Sequence, residues 1–164
     1  MKKIIICAFL SFSGLVQAGD LPDAVMTPGV TNPDVTQANI GQTVCVKGFS
    51  KTIRPPSNYT NKLKKEQIRL YGYADTNPRN YEEDHLIALS IGGAPRNASN
   101  LWPQPRNSAW GADKKDALEF VLYKMVCAKE ISLLNAQKAM ANDWIGAWKT
   151  YVPSRSSSRF AKVD

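Results

Sequence analysis

The feature that most constrains this chain is a pair of cysteines, Cys45 and Cys127. The third cysteine, Cys7, belongs to a different part of the sequence. It lies in the apolar run IIICAFL, which follows Lys2 and Lys3 and precedes Val16-Gln17-Ala18. A charged start, a short apolar run and a small-residue close form the pattern of a secretory signal peptide over residues 1–18. The competing reading, a membrane anchor, needs a longer apolar run than this one. Cys7 sits too early in the run for a lipid attachment site and is expected to leave with the leader. An even pair then remains in an oxidising compartment, which reads as one disulfide between Cys45 and Cys127. Closing a loop of about 80 residues stabilises a fold by about 4 kcal/mol, through the unfolded state. The alternative is two buried thiols. Two distant cysteines and a single histidine fall short of the four ligands of a structural zinc site.

The full chain has 164 residues and is 43% hydrophobic, enough for one domain with a real core. Removing Lys2 and Lys3 from the 21 basic residues leaves 19 against 14 acidic ones, a formal charge of +5. The mature chain is expected to start near Gly19, to carry no membrane anchor, and to be periplasmic or secreted; its oligomeric state is open, with a monomer assumed. A basic balance suits a polyanionic partner, nucleic acid or an anionic envelope surface, though solubility alone also accounts for it.

Residues 19–43 carry several prolines and no sustained period, and read as an extended N-terminal arm. The domain proper is expected over 44–152, followed by a flexible tail, 153–164. Within the domain, TVCVKGF (43–49) alternates as a short strand holding Cys45. Pro55-Pro56 excludes a helix interior, and NKLKKEQIRLYG reads as a helix stopped by Gly72. A short strand from Tyr81, a turn at Gly92-Gly93 and a second strand near Asn100-Leu101-Trp102 follow, the second ended by Pro103 and Pro105. Apolar residues at 118, 121, 122, 125 and 126 give a helix over 112–128. Ser132 caps a last helix, which places Trp144 and Trp148 on one core-facing side.

The chemistry concentrates in YEEDHLIALSIGG (81–93), which holds the only histidine. On a strand, Glu82 and Asp84 point together, Glu83 points away, and His85 stands at the end. A carboxylate can bind a hard divalent cation, and a neutral imidazole can take a proton from water. Phosphodiester hydrolysis needs both functions. A lone Asp-His dipeptide is weak evidence; the order strand, loop, strand from Asn100, then helix is what strengthens it.

In that order, residues 81–119 resemble the HNH (ββα-metal) endonuclease superfamily. The resemblance extends to a group of small exported bacterial HNH proteins. It runs through Cys45, Gly48, Arg54-Pro55, Tyr59-Thr60, Leu63-Lys64, Gln67, Tyr71-Gly72, the YEEDH stretch and NLWP (100–103). It ends on Lys115-Asp116, Leu118-Glu119 and Val126-Cys127, and so covers nearly the whole mature chain. It implies an α+β fold: a short antiparallel hairpin plus a helix as the ββα-metal core, with flanking helices. It implies that His85 is the general base, Asp84 a ligand of one divalent metal, Mg²⁺ or Mn²⁺, and Asn100 the residue that holds the loop and orients His85. Glu82 would support the site from behind.

The chain departs from the pattern at the third motif position, since it has no second histidine. Asp116 is the first choice of ligand there and Asn107 the second. The alternatives are an acid that merely favours a helix N-terminus and an ordinary loop residue. Among the basic residues, Arg96, Arg106 and Lys115 flank the motif and are the expected phosphate contacts. No base-reading module is visible. The expected function is an exported endonuclease of low sequence specificity acting on DNA, with RNA as a second substrate. The rivals are a non-catalytic nucleic-acid- or envelope-binding module and a structural domain in which Asp84–His85 is a buried salt bridge.

Overall fold

The structure is a computed structural model describing residues 19–159, with side chains to Pro153. The expected leader (1–18) and residues 160–164 lie outside the described residues. The fold is α+β, a two-stranded antiparallel sheet with flanking helices. In chain order the elements are α1 (Phe49–Ile53), α2 (Ser57–Leu70), β1 (Tyr81–His85), β2 (Leu101–Pro105), α3 (Ala112–Cys127) and α4 (Leu133–Arg159).

The cysteines are joined, Cys45 to Cys127, with Cα atoms 5.6 Å apart. The segment around Cys45, however, is not the expected strand. Residues 43–48 form successive turns, with Cys45 N–H bonded to Ile40 O and Val46 N–H to Thr43 O. They end at Gly48, whose φ of 88° is left-handed and starts α1 rather than continuing an extended chain. Alternation over so few residues has no pairing partner here and does not set burial either: Val44 is inside and Val46, two residues on, is outside.

Helix α2 begins directly after Pro56 and closes at Tyr71 and Gly72, whose N–H groups bond the carbonyls of Gln67 and Arg69. The second strand passes through Pro103 and ends at Pro105. In the ladder, Leu86 N–H bonds Asn100 O and Arg106 N–H bonds Asn80 O. The even positions of β2 therefore face β1, and the proline nitrogens at 103 and 105 face the unpaired edge, where no donor is needed.

Helix α4 is broken at Asp143, where the backbone is extended. Asp143 Oδ1 accepts from Gly146 N–H at 2.9 Å, which recaps the second half. That half runs through Pro153 to Arg159, into the segment expected as a tail.

The core joins Leu86, Ile87 and Ile91 after β1 to Trp102 of β2, Leu118, Leu122 and Val126 of α3, and Met140 and Trp144 of α4. The arm (19–43) is irregular but tightly packed. Asp20 and Thr27 are buried, Thr31 bridges Gly93, and Thr27 Oγ1 donates to Leu101 O. Among the described residues no helix is long and apolar enough to cross a membrane.

Candidate active site

Strand β1 ends in Asp84 and His85, and the loop that follows determines how His85 is held. Asn100, fully buried, uses its whole amide as a clamp. Its Oδ1 accepts from Ile87 N–H (2.9 Å) and Val30 N–H (3.3 Å), and its Nδ2 donates to Ile87 O (3.0 Å) and Ala94 O (3.1 Å). Gly93 is required because a Cβ there would lie 1.7 Å from Ile87 O. The loop thereby brings Pro95 O within 3.0 Å of His85 Nε2. A carbonyl only accepts, so Nε2 carries the proton and Nδ1 is the basic nitrogen. Burial holds the imidazole below its usual range, partly offset by Pro95 O and Asp84. The ring is thus neutral near pH 7.

Asp84 faces α3. Its Oδ1 accepts from His85 N–H (2.7 Å) and its Oδ2 from Lys115 Nζ (2.9 Å). Asp116 and Glu119, one turn apart on α3, complete an acidic group in which one carboxylate oxygen of each residue lies within 4.8 Å of the others. Lys115 also donates to Glu119. Burial opposes the charge of Lys115, but Asp84 and Glu119 more than offset it and raise its pKa. Burial lifts Glu119 to about 7, against the pull of Lys115. Burial, then the charges of Asp84 and Glu82, also raise Asp116. Three hard oxygen donors suit Mg²⁺ or Mn²⁺, and with one lysine present the remaining charge suits one divalent cation rather than two.

The expected residues are distributed unevenly around this site. His85, Asp84, Asn100 and Asp116 converge. Lys115 cannot be a phosphate contact: it is fully buried, and its ammonium lies against Asp84 and Glu119. Glu82 is a partly exposed residue paired with Arg106 at 2.6 Å, and it reaches the acidic group through its charge on Asp116. Arg96 is exposed and lies over the Tyr59 ring. Asn107 stands exposed on the loop between β2 and α3.

Two residues were undervalued from sequence. Glu119 sits three residues after Asp116, a helical spacing that places both on one face. Arg54, exposed after α1, acts electrostatically on both His85 and Asp116. It lines a cleft of about 440 Å³ together with Asp116, Glu119, Phe49, Phe120 and Tyr123.

Glu83 points away from Asp84, as strand alternation has it, and its carboxylate oxygens are shut from solvent on the other side of β1. Burial lifts its carboxyl to about 8, with Lys64 pulling the other way. No protein-family model, curated protein or solved structure matches this chain.

Proposed function

We propose that this chain is an exported, metal-dependent endonuclease of the HNH (ββα-metal) type, hydrolysing DNA with low sequence specificity. The observation that carries the reading is the neutral His85, tied through Nε2 to Pro95 O, beside the Asp84–Asp116–Glu119 group. In this reading His85 Nδ1 takes the proton of the attacking water, and the Asn100 clamp keeps the ring in place. Asp84, Asp116 and Glu119 hold one divalent cation. Such an ion, when bound, stabilises charge on the phosphate and on the leaving oxygen. Arg54, with Arg96 and Arg106 further out, holds the nucleic-acid backbone without reading bases. Lys115 keeps the carboxylates together.

Digestion of a plasmid by the oxidised, processed protein tests this. Cleavage is expected with Mg²⁺ or Mn²⁺, none with EDTA, and a loss on the order of a thousandfold in His85→Ala. Cleavage unaffected by that substitution removes His85 as the base. One observation favours the rival: the Lys115 ammonium already answers part of the acidic charge. A non-catalytic binding module would retain DNA in a salt-dependent way and would not cut it whichever divalent metal is added.

A further inference from the structure

On the α2 side of β1 are two buried groups without a hydrogen-bond partner among the described residues. Both carboxylate oxygens of Glu83 and the hydroxyl of Tyr73 are shut from solvent with no hydrogen bond. A buried carboxylate left alone is costly, and native folds normally supply it with a partner. The nearest cation in electrostatic reach is Lys64, whose ammonium is bonded to Tyr81 O at 3.1 Å. Across the sheet Glu83 faces Pro103, and Tyr81 faces Pro105; neither proline offers a donor. Tyr73, stacked on Tyr81, lies within electrostatic reach of Glu83.

The backbone of Gly19 packs against this pocket. A Cβ at Gly19 would fall 3.1 Å from Pro105 Cγ, 3.1 Å from Tyr73 Cζ and 3.2 Å from the Tyr73 hydroxyl. The next residue, Asp20, is buried, and its carbonyl accepts from the Trp144 indole N–H at 3.2 Å. The arm is therefore anchored from its first described residue. That residue also directly follows Val16-Gln17-Ala18, the small-residue cleavage pattern. Two independent features, one of sequence and one of packing, meet at the same peptide bond.

We propose that cleavage between Ala18 and Gly19 creates the missing partner: the new α-ammonium of Gly19 docks on the Glu83 carboxylate beside the Tyr73 hydroxyl. Water adds across the Ala18–Gly19 peptide bond, leaving a carboxylate on Ala18 and an amine on Gly19. The amine takes a proton from solvent at neutral pH. Before cleavage the Gly19 nitrogen is an uncharged amide, and the Glu83 oxygens accept no hydrogen bond from a cation among the described residues. After cleavage the pair fixes the strand that carries Asp84 and His85 on its far end. The active strand is thus completed only in the processed protein. The inference rests on the export expectation and is independent of the nuclease reading.

The test starts from the exported protein, whose first residue is read by intact mass. A start other than Gly19 overturns the proposal. The processed chain is then compared in chemical denaturation with one carrying a single extra alanine ahead of Gly19, which displaces the ammonium by one residue. The native start is expected to be at least about tenfold more stable in its unfolding equilibrium, and Glu83→Gln is expected to abolish the difference. Equal stability of the two starts in the unsubstituted protein overturns the proposal. If Glu83→Gln does not fold, acylation of the α-amine decides instead. The Gly19 amine of the native processed chain should react at least about tenfold more slowly than the same amine after unfolding. Equal reactivity overturns the pairing.

Discussion

The two sides of His85 are built on different physics. On the loop side, Asn100 satisfies four backbone groups with one neutral amide, and Pro95 O sets the tautomer. Nothing in that clamp titrates near neutral pH, so it holds its geometry across conditions. On the helix side, three carboxylates and one lysine share a partly buried space, and burial and neighbouring charges displace the proton affinities of Lys115, Asp116 and Glu119. The clamp gives position; the charged side gives responsiveness to protons and cations. In the proposed nuclease, such a site would keep its base rigid while its metal occupancy varies.

The contrast can be broken at several points. Reducing Cys45–Cys127 should have the largest effect, a loss of about 4 kcal/mol in chemical denaturation. It frees the far end of α3, so the helix side should loosen while the Ile87 amide, bonded to Asn100, stays protected from hydrogen exchange in the native state. Asn100→Ala should cost about 3 kcal/mol, because it strands buried N–H and C=O groups at Ile87 and Ala94. Its activity should fall with a pH profile that no longer reports a single histidine environment.

The pH dependence separates the two sides directly. At saturating Mg²⁺ the acid limb of cleavage should report His85. Burial holds its folded pKa below the ordinary 6.5, so activity should persist as pH falls through 6.5 and fail only below it. At limiting Mg²⁺ the limb should move up toward about 7, because Glu119 binds a proton there in competition with the cation. Identical limbs at both concentrations would mean that the two sides are not distinct. The smallest effects belong outside both. Arg106→Ala breaks an exposed pair with Glu82 and should cost less than about 1 kcal/mol. Asn107→Ala should leave the Mg²⁺ dependence unchanged, and a shift in that dependence would return Asn107 to the ligand set.

What could be read in advance follows the same division. Strand β1, the Asn100 position and the limits of α3 are local patterns: a short strand before a Gly-Gly turn, and apolar spacing at 118, 122 and 126. The charged group is not local. Whether Lys115 points to solvent or into the acids depends on how α3 rotates against β1, and one sequence does not encode that rotation visibly. The strand expected at 43–49 failed because alternation needs a neighbour to pair with. The break at Asp143 was hidden inside a continuous helical period; only the Asp-Trp-Ile-Gly order, which fits a cap, announces it. Strand alternation turns Glu83 away from Asp84, but it says only where a side chain points and not whether water is there.

Trp102 carries a consequence for measurement. It is fully buried in β2, one residue past the Asn100-Leu101 step, and the Lys115 ammonium lies 5.4 Å from its ring centre. The other three tryptophans, Trp110, Trp144 and Trp148, form an edge-to-face cluster where α4 meets the start of α3. The protein therefore holds two separate groups of optical probes. One emits from beside the acidic group and should change its fluorescence when a cation moves Lys115. The other reports, through near-ultraviolet circular dichroism, on whether the closing helix remains docked.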